Sequence, residues 1–228
     1  MANRHFGMLA DVWKHLVLAE VLSVDRPRQF CDTHAGHACY AMRADAERRY
    51  GVLGFMEAAV DDVVLKTSAY FRLLVGQRGG VGELSDYPAG PMLAMLELGA
   101  SSEYLFCDLD PESCANICEV ALRLGLESMV RVVEGDGMTA VREAVGDQAR
   151  GTLVYTDPFR APSRLTRRLV GTRSRPGDRR TRRCCRVLVW LQPGRPATVD
   201  LRTRTRQRSH DRLVVRGLDG LRSQRRYA

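Results

Sequence analysis

Apolar positions early in the chain follow a helical rhythm and then the pattern of a buried strand. Residues 8–24 place their apolar side chains on one broad helical face, with His15 on or near the polar edge of that helix. Residues 30–32 form a short apolar run that ends in a carboxylate, and a glycine turn follows at residues 33–36. This second pattern predicts a buried parallel strand that ends at the turn.

A long helical insertion is predicted between this strand and the rest of the sheet. Apolar residues recur with helical spacing over residues 42–75, and the glycines within residues 76–82 end the pattern. Residues 86–91 predict a turn, and Pro91 suits the first position of a helix that runs to about residue 98. We therefore place an insertion at about residues 42–85.

Strands and helices alternate from residue 103 onward. The predicted elements are strand 103–107, helix 111–124, strand 129–133, helix 138–145 and strand 152–156. This alternation is typical of βαβ units and of a mostly parallel, doubly wound sheet. Each strand ends beside an acidic residue, and ligands of such sheets bind outside the carboxyl ends of the strands, so the acids lie on the predicted binding edge.

The alternation stops after Phe159. Residues 187–191 and 213–215 remain as short apolar runs, which are too few to complete a sheet and cover both of its faces. We expect an α/β fold, Rossmann-like, with a helical insertion and with its C-terminal strands missing or disordered.

Net charge divides the chain at the same point. Residues 1–159 hold 14 basic and 23 acidic side chains, a net charge of −9, whereas residues 160–228 hold 21 arginines and 4 aspartates, a net charge of +17. We predict a domain at residues 1–159 and an arginine-rich, disordered tail at residues 160–228. Such an asymmetry favours an acidic domain joined to a tail that binds nucleic acid.

A second explanation of the tail stays open. Residues 160–228 contain no lysine and no glutamate, whereas natural RNA-binding tails usually mix lysine with arginine. An arginine-rich composition without lysine is also what a GC-rich gene yields when it is read in a shifted frame.

The composition indicates a cytoplasmic protein without a metal site. No apolar run approaches the roughly 18–20 residues of a membrane span, and the N-terminus lacks the apolar block of a signal peptide. The 7 cysteines form no CxxC pairs that would arrange thiolates around zinc. We interpret them as reduced cysteines that serve as small apolar residues.

A nucleoside cofactor on such a sheet requires a glycine turn after the first strand and an acid after the second. The glycine lets the backbone approach the ligand, and the acid accepts hydrogen bonds from the ribose hydroxyls. Gly36 and Asp108 occupy these positions. Taken singly, Asp32, Asp108 and Asp136 fit equally well as caps of helices or turns.

Several short motifs occur in order along residues 4–159. They are Ala-Asp-Val-Trp-Lys-His at residues 10–15, Asp-Thr-His-Ala-Gly at 32–36, Tyr-Pro-Ala-Gly-Pro at 87–91, Asp-Leu-Asp-Pro at 108–111, Gly-Asp-Gly at 135–137 and Asp-Pro-Phe at 157–159. Together they resemble the RlmJ-type large-subunit ribosomal RNA adenine-N6 methyltransferases, which have an ADV-x-KH helix, a DTHAG strand end, a YPGSP turn and a DPPY catalytic loop. The resemblance implies S-adenosylmethionine as the cofactor and ribosomal RNA as the substrate.

The resemblance also implies which residues bind the cofactor. His15, His34 and Gly36 would border the methionine part of S-adenosylmethionine. Asp108 would contact its ribose, in place of the family's glutamate, and Asp136 its adenine amino group.

Methyl transfer to adenine N6 needs a hydrogen-bond acceptor opposite the amino group, because the nitrogen lone pair is delocalised into the ring. By the resemblance, Asp157 and the carbonyl of Pro158 supply acceptors, and Phe159 stacks on the flipped-out base. The chain lacks the second proline of the family's Asp-Pro-Pro-Tyr, and its aromatic residue falls one position early. Gly90 stands at the serine of the family's turn and removes a hydroxyl available to the cofactor, so we expect weaker binding.

The sequence leaves two alternatives to an active enzyme open. One is an inactive, truncated or frame-shifted member of the family. The other is an RNA-binding protein that acts through its basic tail, whose affinity would fall steeply with salt. A nicotinamide-dependent dehydrogenase is disfavoured, because the first strand lacks a GxGxxG sequence.

Overall fold

The computed structural model describes residues 6–77, 84–145 and 151–157, and the backbone of three strands at residues 186–191, 195–200 and 215–216. The α-helices in these parts are α1 (Leu9–Asp25), α2 (Ala46–Arg48), α3 (Gly54–Asp61), α4 (Val63–Lys66), α5 (Ala69–Gly76), α6 (Gly90–Leu98), α7 (Pro111–Arg123) and α8 (Gly137–Val145). A π-helical turn at Arg49–Leu53 joins α2 to α3, and a 3-10 turn at Gly99–Ser101 follows α6. The strands are β1 (Gln29–Asp32), β2 (Cys39–Ala41), β3 (Asp86–Pro88), β4 (Glu103–Asp108), β5 (Val130–Glu134), β6 (Thr152–Thr156), β7 (Arg186–Leu191), β8 (Arg195–Asp200) and β9 (Val215–Arg216).

The main sheet has the order β5-β4-β1-β6-β7-β8-β9. Its strands from β5 to β7 are parallel, and β8 and β9 each pair antiparallel to the preceding strand. Strand β1 lies in the middle, with Asp32 beside Phe106 of β4 and beside Tyr155 of β6. The predicted α/β class with a mostly parallel sheet is confirmed.

Side chains of the central strands alternate between two apolar layers. Phe30, Phe106 and Tyr155 lie in a cluster with residues of α1, α6 and α7, whereas Cys31, Leu105 and Val154 lie in a second cluster with Val141 of α8. A strand that is buried on both faces has apolar residues at successive positions. This is why the predicted strands lacked polar alternation.

The insertion folds as helices α2–α5 on a short antiparallel ribbon. Strands β2 and β3 pair over three residues, with Tyr40 beside Tyr87. Residues 86–88 were predicted to belong to a turn, and this was wrong because a three-residue strand is too short to show a strand period. The ribbon thus pairs the two segments of chain that enter and leave the insertion.

A separate apolar cluster joins the insertion to α1. It includes Tyr70 of α5, Tyr87 of β3 and Val12 of α1. Leu18 and Leu22 of α1 belong to the other large cluster, beneath the sheet. Helix α1 therefore packs against both the insertion and the sheet.

Two glycines allow backbone segments to approach closely. A Cβ at Gly51 would lie 1.9 Å from the carbonyl oxygen of Gly7, which accepts a hydrogen bond of 2.9 Å from the amide of Val52. A Cβ at Gly137 would lie 2.1 Å from the carbonyl oxygen of Thr33. Gly137 thus allows the start of α8 to pack against the loop that follows β1.

The backbone of β7–β9 corrects the expectation that the last strands are missing. Strand β7 pairs parallel to β6, and β8 and β9 extend the sheet beyond it. Strand pairing satisfies main-chain hydrogen bonds whatever the side chains are, so sparse apolar residues did not exclude it. The other residues of the predicted tail lie outside the described part of the chain.

Within the described ranges, no helix is both long and apolar enough to cross a membrane. The same ranges contain no group of three or more His, Cys, Asp or Glu side chains placed to hold a metal ion. Cys31, Cys39, Cys107 and Cys114 are buried, and Cys118 is exposed.

The close approach at Gly137 predicts a large cost for a side chain there. We expect Gly137→Ala to lower the free energy of unfolding by roughly 2–4 kcal/mol, because the Cβ would collide with backbone atoms. Gly76→Ala is the control, since a Cβ at Gly76 meets no atom of the described residues within 4 Å. Urea denaturation of both variants checks this, and equal stabilities would contradict it.

Candidate functional site

Three acidic residues lie at the carboxyl ends of adjacent parallel strands. Asp32 ends β1, Asp108 ends β4, and Asp157 directly follows β6. The parallel register of β1 with both neighbours brings the three strand ends to one edge of the sheet. This is where ligands bind in open parallel sheets.

Asp108 ties the loop after β1 to the loop after β4. Its Oδ2 accepts a hydrogen bond of 2.7 Å from the amide of Gly36, and its Oδ1 accepts one of 2.9 Å from the amide of Asp110. Gly36 has a φ of +61°, a conformation that side chains disfavour. The two residues predicted from the sequence are therefore in direct contact.

Asp136 caps the helix that follows it. Its Oδ1 accepts hydrogen bonds of 2.8 Å from Met138 N and 3.1 Å from Thr139 N at the start of α8. The amide of Gly135 donates to the carbonyl oxygen of Asp108 at 2.8 Å. The capping role considered for Asp136 is thus present, and the residue lies on the loop joined to Asp108.

His34 lies among the predicted site residues. Its Nδ1 is 2.8 Å from the hydroxyl of Thr33, which also hydrogen-bonds the hydroxyl of Thr156. Desolvation lowers the pKa of His34, while the charges of Asp108 and Asp157 act in the opposite direction. The imidazole therefore faces negative potential at the edge of the sheet.

Lys14 forms an ion pair with Asp157 that the sequence analysis did not identify. Its Nζ lies 2.6 Å from Oδ2 of Asp157 and 2.8 Å from Oδ1 of Asp11. Burial alone would lower the pKa of Lys14, but the two carboxylates raise it overall. The signal available in the sequence was the three-residue spacing of Asp11 and Lys14 in the first motif.

His15 lies inside the protein, not on the polar edge of α1 as predicted. It is 5% exposed, because α1 is covered on this side by the insertion. Its Nδ1 lies 2.8 Å from the hydroxyl of Tyr87. Burial, with a contribution from the charge of Lys14, lowers its pKa to about 3, so the imidazole is neutral.

Asp32 is buried beneath the edge of the sheet. It is 1% exposed, and its Oδ1 accepts a hydrogen bond of 3.0 Å from the amide of His34. Burial raises its pKa to about 8, and the negative charges of Asp157 and Asp108 add to this effect. At neutral pH the Asp32 carboxyl is therefore mostly protonated.

Gly90 leaves space above Asp32. A Cβ at Gly90 would lie 3.5 Å from Oδ2 of Asp32 and 3.9 Å from the ring of Tyr155. The Tyr155 hydroxyl is buried and has no hydrogen-bond partner within the described residues. At Gly90, where the turn of the RlmJ-type enzymes has serine, this chain thus has no side chain beside the Asp32 carboxyl and the Tyr155 ring.

The structure brings most of the predicted site residues to one edge of the sheet. His34, Gly36, Asp108 and Asp136 are linked through their loops, and Gly90 and Asp157 lie beside the neighbouring strands β1 and β6. Pro158 and Phe159, predicted to be catalytic, lie outside the described residues. The edge consists mainly of hydrogen-bond acceptors, which suit the hydroxyl and amino groups of a nucleoside.

The raised pKa of Asp32 predicts a pH-dependent stability. The unfolded side chain ionises near its ordinary pKa of 3.8, and the folded one near 8. The stabilisation of the folded state by the protonated Asp32 is therefore complete below about pH 4, and it is lost as the pH rises towards 8. Asp32→Asn carries no ionisable proton, so we expect the variant to gain stability relative to the natural chain over this range.

Urea denaturation at a series of pH values measures this difference. Asp62→Asn makes the same change from carboxyl to amide at an exposed position and is the control. A difference between Asp32→Asn and the natural chain that stays constant from about pH 4 to about pH 8 would contradict the assignment.

The space at Gly90 predicts that a serine is accommodated there. We expect Gly90→Ser to be more stable than Gly90→Ala, because its hydroxyl can hydrogen-bond Asp32 whereas alanine changes only the backbone entropy. The expected difference is about 1 kcal/mol in thermal or urea unfolding. Equal stability of the two variants would show that the hydroxyl finds no partner.

Comparisons with known proteins support the resemblance. No family model matches the chain. The chain is 26% identical over 163 residues to ribosomal RNA large subunit methyltransferase J of Escherichia coli, a stretch that covers 68% of this chain and 56% of that protein. The chain thus spans little more than half the length of this curated relative.

A solved structure supports the fold independently. It is the crystal structure of a Legionella pneumophila protein described as family-model DUF519, with a TM-score of 0.57 and 24% sequence identity. The match covers 68% of this chain and 58% of that chain. The resemblance indicated by the motifs is therefore confirmed, and the chain is similar in sequence to ribosomal RNA large subunit methyltransferase J.

Proposed function

We propose that the chain is an S-adenosylmethionine-dependent methyltransferase that modifies N6 of an adenine in ribosomal RNA. The observation that carries this proposal is the hydrogen bond from the Gly36 amide to Asp108, which joins the glycine turn after β1 to an acceptor on β4. Asp157 follows β6 at the same edge of the sheet. The similarity to ribosomal RNA large subunit methyltransferase J supports the reaction class and the RNA substrate.

The residues at the edge of the sheet fit the proposed cofactor. Gly36 leaves its backbone open: among the described residues, only the Tyr40 hydroxyl, at 3.8 Å, lies near the position of a Cβ. Asp108 offers carboxylate lone pairs to ribose hydroxyls, Asp136 can accept from an adenine amino group, and His34 borders the same loops. S-adenosylmethionine, when bound, would supply an electrophilic methyl group.

Asp157 is the proposed acceptor for the target amino group. Its Oδ2 is held by Lys14 at 2.6 Å, which fixes the orientation of the carboxylate. Its Oδ1 would then accept a hydrogen bond from the amino group and help to localise the nitrogen lone pair. Lys14 acts as a positioning residue in this proposal, and Pro158 and Phe159 keep the roles that the resemblance implies.

The basic segment is proposed to supply non-specific affinity for RNA. Residues 1–159 carry a net charge of −9, which repels a polyanion at long range, and residues 160–228 carry +17. Binding through this segment would weaken steeply as salt is added, because bound phosphates release counterions.

Calorimetric titration of S-adenosylmethionine into the full chain tests the cofactor site. We expect saturable binding, weakened at least about tenfold in Asp108→Ala, because the variant loses the ribose acceptor and the link to Gly36. Glu119→Ala, an exposed acid on α7, is the control and should bind like the natural chain. No binding by folded protein would overturn the proposal.

Transfer of a labelled methyl group to ribosomal RNA tests the reaction. We expect Asp157→Asn to bind the cofactor but to transfer methyl groups at least about 100-fold more slowly. Cofactor binding by the natural chain without any transfer would favour the inactive family member instead.

A further inference from the structure

A hydrogen-bonded chain of buried groups runs from the insertion to His15, one of the predicted cofactor-binding residues. The hydroxyl of Tyr70 on α5 lies 3.3 Å from the hydroxyl of Tyr87 on β3, which lies 2.8 Å from Nδ1 of His15 on α1. Both tyrosines are 0% exposed. His15 is the neighbour of Lys14, whose Nζ holds Asp157.

One arrangement of donors and acceptors along these hydrogen bonds gives both hydroxyl protons an acceptor. Burial raises the pKa of both tyrosines, so each keeps one proton to donate. If Tyr70 donates to Tyr87 and Tyr87 donates to Nδ1 of His15, both protons are used. In the opposite direction the buried Tyr70 proton would have no acceptor among the described residues, which is costly.

The charge of His15 then determines where its single ring proton lies. The imidazole is neutral because burial and Lys14 together lower its pKa to about 3, although Asp157 acts in the opposite direction. A neutral imidazole that accepts at Nδ1 carries its proton on Nε2.

We propose that Tyr70 and Tyr87 are positioning residues that hold His15 as the Nε2–H tautomer, so that the helical insertion determines which hydrogen bond His15 offers beside the site. The imidazole is then a donor from Nε2, suited to an acidic or carbonyl acceptor. The effect on cofactor affinity rests on the proposed function, whereas the tautomer does not.

Nuclear magnetic resonance of the full chain, with histidine labelled by ¹⁵N, tests the tautomer. His15 is assigned by the loss of its signals in His15→Gln. We expect a protonated Nε2 and an unprotonated, hydrogen-bonded Nδ1 at pH 7. A protonated Nδ1, or a charged imidazole, would overturn the proposal.

Removing one tyrosine hydroxyl at a time tests which groups hold His15 in this tautomer. We expect Tyr87→Phe to move the Nδ1 signal to that of a nitrogen without a donor, and Tyr70→Phe to move it less in the same direction. Tyr104→Phe is the matched control, because the Tyr104 side chain is also buried but its hydroxyl donates to the carbonyl oxygen of Gly99 at 2.7 Å. If Tyr87→Phe fails to fold, the His15 signals of the natural chain and of Tyr70→Phe still test the proposal.

Titration of S-adenosylmethionine separates this proposal from the proposed function. We expect Tyr87→Phe to weaken binding about fivefold to tenfold, with Tyr104→Phe unchanged. If the natural chain shows the Nε2–H tautomer and binds no cofactor, the positioning role holds and the proposed function fails. If Tyr87→Phe changes neither the Nδ1 signal nor the affinity, the positioning role is overturned.

Discussion

The parallel pairing of β1 with both β4 and β6 is the constraint on which the site depends. One register places Asp32 beside Phe106 and beside Tyr155, so three strands reach the same edge together. The acids that follow them, Asp32, Asp108 and Asp157, would otherwise be scattered over 126 positions of the chain. Main-chain hydrogen bonds, rather than side-chain attraction, bring these three carboxyl groups to one edge.

Polar groups that are buried at this edge need hydrogen-bond or ion-pair partners. Some of them have two such partners, and others have one or none among the described residues. Lys14 has two carboxylates, and Asp108 accepts two amide hydrogen bonds. Asp32 keeps one hydrogen bond and avoids the cost of a buried charge by retaining its proton, and the Tyr155 hydroxyl has no partner within the described residues. The two groups with the fewest partners, Asp32 and Tyr155, both lie next to Gly90, which has no side chain to offer them.

The insertion contributes to the site as well as to the core. Its apolar cluster covers one side of α1, and the close approach of Gly51 to Gly7 fixes the insertion against the residues that precede α1. Covering α1 removes water from His15, so that the Tyr87 hydroxyl is the hydrogen-bond partner of its Nδ1, and the Tyr70 hydroxyl in turn donates to that of Tyr87. An insertion that is distant in sequence thereby determines the environment of a residue beside Lys14.

The sequence by itself determined the α/β class, most helix and strand positions, and the pairing of a glycine turn with an acid on the next strand. These follow from local periodicity and from the rule that parallel strands end at a common edge. Only the tertiary structure decided that His15 is buried and neutral, that Lys14 bridges Asp11 and Asp157, and that strands continue the sheet after Phe159. The reason is that burial, ion pairing and strand pairing between distant segments depend on which surfaces meet in space, and local sequence patterns do not carry that information.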